Sequence, residues 1–129
     1  MNIEVTNPII IKDSSGKPDF TVYSIQVETS FPEYSSSNFE VKRRYSDFVW
    51  LRNYLTMRME EKGKKLSIPE LPGDSWSSWF GPGRFEKEFI EERRVGLDQF
   101  MKSVANHPWA RFEEGLHKFL EKQDFICQE

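Results

Sequence analysis

Alternating polar and apolar residues in the first third of the chain predict β-strands. The runs 3–5 and 9–11 are rich in β-branched residues, and the Asn7-Pro8 pair between them predicts a kink or bulge in a first strand. A turn-rich segment follows, and the alternation continues over 20–28 and then, beyond a serine-rich loop, over 39–43. Three such strands in succession predict a small antiparallel sheet with one face that needs a cover.

Apolar residues at helical spacing come after the strands and predict the helices that provide this cover. Ser46 is the expected N-cap of a first helix over 46–61, with Asp47 favourably placed near the positive end of the helix dipole. A second helix is expected over about 86–105 and a third over about 109–123. The apolar stripe of the third helix comprises Phe112, Leu116, Phe119 and Leu120.

The segment between the first two helices has no regular period. Two prolines in Pro69-Glu70-Leu71-Pro72 favour an extended crossover, and 74–85 is rich in Ser, Gly and Trp and is expected to form a loop. A sheet followed by helices belongs to the α+β class: a three-stranded antiparallel sheet packed against a helical subdomain. We expect a single domain over 1–129, with a core over about 3–122.

Composition narrows the classes of function. The 129 residues suit one domain, and 18 Lys+Arg against 21 Asp+Glu give a net charge of −3. Nucleic-acid-binding domains tend to be basic, so no nucleic-acid partner is expected. A local basic patch is still compatible with this charge, because electric fields depend on where charges lie.

Cysteine usage and apolar runs indicate the compartment. Cys127 is a lone cysteine, so it forms no internal disulfide, and no zinc-type spacing of Cys and His occurs. The start of the chain lacks the features of a signal peptide, and the longest apolar run, 9–11, is far too short to span a membrane. We expect a soluble cytosolic protein without cofactor or metal, which meets a membrane only from the water side.

A basic cluster lies where the third strand meets the first helix. In Lys42-Arg43-Arg44-Tyr45, an arginine stands beside an aromatic ring and a helix N-terminus. This combination suits a phosphate carried on a ring, because guanidinium pairs with phosphate oxygens and the aromatic side chain packs against the ring. The alternative is a solvated strand end.

A second candidate is an arginine on the apolar side of the second helix. On a helical wheel, Arg93 falls near the centre of the stripe and Arg94 at its edge. A buried arginine needs an anion or hydrogen-bond acceptors, which either a nearby carboxylate or a bound ligand supplies. The stripe comprises Phe89, Ile90, Leu97, Phe100, Met101 and Val104.

The loop over 75–85 carries large aromatic side chains. Trp76, Trp79, Phe80 and Phe85 lie among residues that do not form regular structure, and Arg84 lies next to them. Tryptophan favours the membrane–water interface, so these four aromatic residues are candidates for membrane insertion. The alternative is that the rings fold back onto the core.

Two further observations, a PxxP spacing and the lack of catalytic motifs, give weaker indications of function. Pro69-Glu70-Leu71-Pro72 contains the PxxP spacing of SH3 ligands but has no adjacent arginine, so a stiff crossover is preferred. Catalysis has little support, because no nucleophile elbow, glycine-rich phosphate loop or metal spacing is present.

Three motifs in order make the chain similar to a known family. They are Arg43-Arg44-Tyr45-Ser46-Asp47-Phe48, then Pro69-Glu70-Leu71-Pro72-Gly73, then Phe89-Ile90-Glu91-Glu92-Arg93-Arg94-Val95-Gly96-Leu97. With them the chain resembles a PX (phox-homology) domain, most of all the short PX-only sorting nexins that work with retromer. The resemblance covers about 3–120 and implies the PX fold, a three-stranded sheet followed by helices with a proline-rich crossover.

The resemblance also implies a ligand, phosphatidylinositol 3-phosphate, and a role for each matching residue. Arg44 would hold the 3-phosphate, Tyr45 would pack against the inositol ring, and Arg93 would hydrogen-bond the 4- and 5-hydroxyls. A phosphate at position 4 or 5 would crowd Arg93. The aromatic loop would insert into the membrane beside the pocket.

One position departs from the family pattern. Many relatives have a lysine directly after Leu-Pro-Gly, where it contacts the 1-phosphate, and this chain has Asp74 there. Lys64, Lys65 and Arg84 are the candidates to replace that lysine.

The sequence as a whole predicts a non-catalytic phosphoinositide-binding module. We expect a monomer that associates peripherally with early endosomes from the cytoplasm and works with a retromer-like coat or a cargo protein. One alternative, favoured by Asp74, is a PX domain that mainly binds proteins. Another is a small hydrolase, which would require a pocket that pairs a histidine with Ser46.

Overall fold

The sheet has the predicted number and order of strands. A computed structural model describes residues 1–73 and 83–122. Strand β1 (Asn2–Lys12) pairs with β2 (Pro18–Glu28), which pairs with β3 (Asn38–Arg44), and both pairings are antiparallel. The prediction of a three-stranded meander is therefore confirmed.

The predicted interruption of β1 is a bulge. The register passes from Thr6 opposite Ser24 to Ile9 opposite Val22, so β1 contains one extra residue there. Asn7 takes a positive φ of 48°, a conformation that asparagine tolerates better than most residues.

One face of the sheet forms the core with the helices. Val5, Ile25 and Val41 lie side by side across the three strands, and all are buried. Helix α1 spans Tyr45–Glu61, and helix α2 spans Lys87–Asn106 and packs against β1. Within the described residues, no helix has both the length and the apolar character needed to cross a membrane.

The start of α1 differs from the prediction. The expected N-cap, Ser46, lies inside the helix, which begins at Tyr45 with Arg44 as its N-cap. The reason is that β3 runs directly into α1, so no separate capping residue stands between them. The Asp47 carboxylate accepts a hydrogen bond from the Arg44 backbone N–H at 2.8 Å and so stabilises this junction.

The predicted third helix is wrong as a continuous element. A 3₁₀ turn at Ala110–Phe112 comes first, and helix α3 spans Glu114–Glu121. The break lies at Glu113, whose backbone is extended and whose buried carboxylate binds Arg58 of α1 and Lys62, the residue directly after α1. The break turns Phe112 outward, with 59% of its surface exposed, so its place on a buried stripe is also wrong.

The crossover between α1 and α2 is held from both sides. Pro72 packs so closely on Gly96 of α2 that a Cβ at position 96 would lie 2.5 Å from the Pro72 Cγ. On the other side, Arg52 of α1 binds the Glu70 carboxylate at 3.2 Å. The crossover is thereby fixed next to the end of β3.

Candidate functional site

The two adjacent arginines at the end of β3 point to opposite faces of the sheet. Arg43 is 2% exposed and donates hydrogen bonds to the backbone oxygens of Lys42, Phe119 and Lys122. Burial lowers the pKa of Arg43 to about 10, so the guanidinium is still charged at neutral pH. Arg43 thus joins β3 to α3, and its neighbour Arg44 points outward.

Arg44 is exposed and lies against an aromatic ring of the neighbouring strand, β2. Its guanidinium carbon is 3.8 Å from the centre of the Phe20 ring. Such a cation–π contact holds the guanidinium in place and leaves its N–H groups available for oxygen acceptors.

Tyr45, the residue after Arg44, is in contact with Arg93. The guanidinium carbon of Arg93 lies 3.7 Å from the centre of the Tyr45 ring and 4.6 Å from that of Phe89. The Tyr45 hydroxyl donates a hydrogen bond to the Pro72 carbonyl at 2.8 Å, and Arg93 donates one to the Gly73 carbonyl at 3.5 Å. Burial lowers the pKa of Arg93.

Arg94 has a different environment. It donates hydrogen bonds to the Glu91 carboxylate and to the backbone carbonyl of Val5, and so fastens α2 to β1. Both arginines are half-buried, and they differ in their contacts, because Arg93 lies over the Tyr45 ring whereas Arg94 is tied to β1.

The structure brings five of the residues singled out from the sequence to one cavity. They come from the junction of β3 and α1, from the turn before α2, and from α2 itself. They are Arg44, Tyr45, Arg84, Phe85 and Arg93. The Arg84 guanidinium carbon lies 4.6 Å from the centre of the Phe85 ring.

Sequence reasoning missed the wall that β2 supplies. Asp19, Phe20, Thr21 and Tyr23 line the same cavity, as does Ser46. Alternation along β2 places positions 19, 21 and 23 on one face of the strand, but it does not show where that face meets α1 and α2, so no local signal identified this wall. Burial raises the pKa of the Tyr23 phenol to about 12, so Tyr23 is neutral and lies at the buried end of this wall.

Lys64 and Lys65 are not brought to the cavity. Both line a separate groove with Arg52 and Glu60, and the Lys64 ammonium lies 4.0 Å from the centre of the Trp109 ring. Arg84 is therefore the one of the three candidate replacements for the missing lysine that the structure brings beside Arg44 and Arg93.

Several predicted residues lie outside the described residues. Asp74 and three of the candidates for membrane insertion, Trp76, Trp79 and Phe80, belong to this group. The fourth insertion candidate, Phe85, is described and lines the cavity.

The cavity combines features that suit a phosphorylated ring. Three guanidinium groups offer charge-assisted hydrogen bonds to phosphate oxygens, and aromatic side chains offer apolar surface to ring carbons. No histidine is among the described residues that line it. Across the part of the chain that the structure describes, no group of three or more His, Cys, Asp and Glu residues is arranged to hold a metal ion.

Comparisons with known proteins converge on one family. The family model described as "PX domain" matches residues 31–123. Human sorting nexin-3 is 39% identical and human sorting nexin-12 is 38% identical, each over 127 residues that cover 95% of this chain and 74% of the relative. Sorting nexin 1 of Arabidopsis thaliana is 40% identical over 124 residues, which cover 96% of this chain and 29% of the relative.

Solved structures agree with the sequence comparison. A designed CISK-PX domain superimposes with a TM-score of 0.72 at 26% identity, covering 95% of this chain and 100% of the designed one. The mouse SNX19 PX domain, solved with a bound sulphate ion, has a TM-score of 0.61 at 21% identity and supports the fold alone.

Proposed function

Because the chain belongs to the PX domain family, whose members are phosphoinositide-binding modules of membrane trafficking, we propose that its cavity binds phosphatidylinositol 3-phosphate and brings the protein to early endosomes. PX domains and sorting nexins are non-catalytic, so the chain is not an enzyme. The hydrolase alternative is thereby excluded.

One observation carries the proposal: two arginines that are distant in sequence line the same aromatic cavity. Arg44 comes from the end of β3 and Arg93 from α2. A ligand with a phosphate on one side and hydroxyls on the other can engage both, because guanidinium donates to either kind of oxygen.

Each residue has a distinct role in this proposal. Arg44, exposed and held on Phe20, pairs with the 3-phosphate. Arg93, which is partly buried, hydrogen-bonds the 4- and 5-hydroxyls, where an additional phosphate would crowd it. Tyr45 packs against the inositol ring, and because Arg93 lies over Tyr45, a headgroup that contacts one of them contacts the other.

Arg84 takes the place of the lysine that many relatives have at position 74. It lines the cavity from the turn before α2, and its charge suits the 1-phosphate. Phe85 and the aromatic residues Trp76, Trp79 and Phe80 insert into the membrane beside this phosphate. Headgroup binding and insertion then act together.

The remaining parts of the proposal concern partners. We infer that the protein works as a monomer with a retromer-like coat or a cargo protein, as its similarity to the short sorting nexins suggests. The second candidate function is a PX domain that mainly binds proteins and binds lipid weakly. The acidic residue Asp19 in the cavity wall favours this candidate, because a carboxylate repels phosphate.

Liposome co-sedimentation separates the two functions. Phosphatidylcholine vesicles that contain one of the phosphoinositides, or none, are mixed with the wild type, with Arg44→Ala and with Lys42→Ala. Lys42 is an exposed cation of the same strand that does not line the cavity, so it is the control for lost charge. We expect selective binding to phosphatidylinositol 3-phosphate that Arg44→Ala abolishes and Lys42→Ala retains. Absence of wild-type binding to every vesicle would favour the protein-binding function.

A further inference from the structure

The cavity wall contains one carboxylate among three guanidinium groups. The three cations are Arg44, Arg84 and Arg93, and the carboxylate belongs to Asp19 near the start of β2. A cavity built only to attract phosphate would have no acidic group. The presence of Asp19 is therefore better explained by a role in excluding some ligands from the cavity.

The fold fixes where this carboxylate lies. Asp19, Thr21 and Tyr23 alternate along β2 and line the cavity together, with burial that increases in this order. Tyr23 is 1% exposed, Thr21 is half-buried, and Asp19 is exposed. Asp19 thus lies at the open end of the wall, where the headgroup enters. The adjacent residue, Phe20, contacts the Arg44 guanidinium, so Asp19 is the sequence neighbour of the ring that supports the cation proposed to hold the phosphate.

The fold does not need the Asp19 carboxylate. In the turn between β1 and β2, Asp13 accepts the stabilising hydrogen bonds, from the backbone N–H groups of Ser15 and Lys17 at 2.9 and 3.0 Å. Within residues 1–73 and 83–122, no hydrogen bond or ion pair involves the Asp19 side chain. Its negative charge is consequently not neutralised by a described side chain and acts on whatever enters the cavity.

We propose that Asp19 is a specificity-determining residue that disfavours headgroups with more than one phosphate on the inositol ring. This inference rests on the proposed function. A headgroup with a single ring phosphate places that charge on Arg44 and meets Asp19 with neutral hydroxyls. A second ring phosphate adds about two negative charges near the carboxylate, and the repulsion is strong at the rim of a partly desolvated cavity.

Asp19 complements the steric role proposed for Arg93. Arg93 rejects a phosphate at position 4 or 5 by lack of space, whereas Asp19 acts on total charge. The two mechanisms respond to different substitutions, because a neutral isostere at position 19 removes the repulsion and leaves the shape of the cavity unchanged.

The test compares Asp19→Asn with Glu33→Gln. Both substitutions remove one negative charge from an exposed side chain, and Glu33 lies in the loop between β2 and β3, outside the cavity lining. Affinities are measured on phosphatidylcholine vesicles with phosphatidylinositol 3-phosphate or with phosphatidylinositol 3,5-bisphosphate, alongside the wild type and Arg44→Ala.

We expect Asp19→Asn to increase the affinity for the bisphosphate more than the affinity for the monophosphate. The ratio of the monophosphate affinity to the bisphosphate affinity should fall by roughly three- to tenfold relative to the wild type. Glu33→Gln should leave the ratio of the two affinities at the wild-type value. If the wild type binds neither vesicle, the inference is supported only when Asp19→Asn gains more binding to the bisphosphate vesicle than to the monophosphate vesicle, and an equal gain on both vesicles would overturn it.

Two further results overturn it, and they differ in what else they overturn. If the wild type binds the monophosphate, Arg44→Ala does not, and Asp19→Asn has the same affinity ratio as Glu33→Gln, then the role of Asp19 is refuted and the proposed function stands. If neither the wild type nor Asp19→Asn binds any vesicle, both are refuted.

Discussion

The guanidinium carbon of Arg93 lies 3.7 Å from the centre of the Tyr45 ring, and the hydroxyl of that ring donates a hydrogen bond to the Pro72 carbonyl. Three segments distant in sequence, α1, the crossover and α2, are linked at this point. Any change that separates them should alter both the stability of the domain and the shape of the cavity.

Gly96→Ala tests this linkage. A Cβ at position 96 would lie 2.5 Å from the Pro72 Cγ, so the crossover must move away from α2, and the Tyr45 hydrogen bond moves with it. We expect a loss of about 1–3 kcal/mol in the free energy of unfolding, measured by urea denaturation, together with weaker headgroup binding. Wild-type stability would contradict the packing described for this contact.

Arg43 and Arg44 should differ in their contributions to the free energy of unfolding. Arg43→Ala leaves three buried or partly buried carbonyls without their donor, and we expect the free energy of unfolding to fall by roughly 2–4 kcal/mol. Arg44→Ala removes an exposed side chain and should change stability by no more than about 0.5 kcal/mol. Urea denaturation of both variants measures the difference. Equal losses would be inconsistent with the opposite orientations of the two side chains.

Arg84 should contribute to headgroup affinity, and the two lysines should not. Arg84→Ala removes a cation from the cavity and with it a charge-assisted contact of about 1.5–3 kcal/mol, which corresponds to at least a tenfold loss in affinity. Lys64→Ala and Lys65→Ala remove the same charge from a different groove and serve as matched controls. Vesicle binding at two salt concentrations provides the measurement. A larger loss of affinity for either lysine variant would indicate that this lysine, and not Arg84, contacts the 1-phosphate.

Stability should fall below neutral pH because of His107. Burial lowers the pKa of His107 from its usual 6.5, and its Nδ1 accepts hydrogen bonds from the backbone N–H groups of Trp109 and Ala110 at 3.2 and 3.0 Å. Protonation of Nδ1 would remove both. Below pH 6.5 the His107 imidazole takes up a proton more readily in the unfolded chain than in the folded one. The contribution of His107 to the free energy of unfolding is therefore complete above pH 6.5 and is lost as the pH falls through the lowered pKa.

The variant His107→Asn isolates this effect, because the amide oxygen accepts the same hydrogen bonds without titrating. Urea unfolding at pH 7.5 and 5.5 should show a smaller decrease for this variant than for the wild type, by at most about 1.4 kcal/mol per pH unit. An identical decrease in both proteins would assign the pH dependence to other groups.

The strands and the different surroundings of Arg93 and Arg94 could be predicted because both follow from short periodicities. A period of two assigns the residues of β2 to its faces, and a period of 3.6 separates Arg93 from Arg94. These signals are local, and the structure confirms them.

The errors arose where tertiary contacts override local preference. Ser46 has the composition of an N-cap, but β3 leads straight into α1 and Arg44 takes that position. Phe112 fits a helical stripe, but the Glu113 carboxylate is bound by α1 and the helix breaks there. The place of Asp19 in the cavity depends on how β2 meets α1 and α2, which no local pattern contains.

The central claim is that Arg44 and Arg93 bind one headgroup together. The most direct measurement is a titration of the protein with a short-chain, water-soluble phosphatidylinositol 3-phosphate, followed through the NMR signals of the arginine Nε–H groups. We expect the signals of Arg44 and Arg93 to shift together with one affinity, and the signal of Arg94, which is tied to Glu91 and Val5, to stay in place. Shifts confined to other arginines, or no shift at saturating lipid, would contradict it.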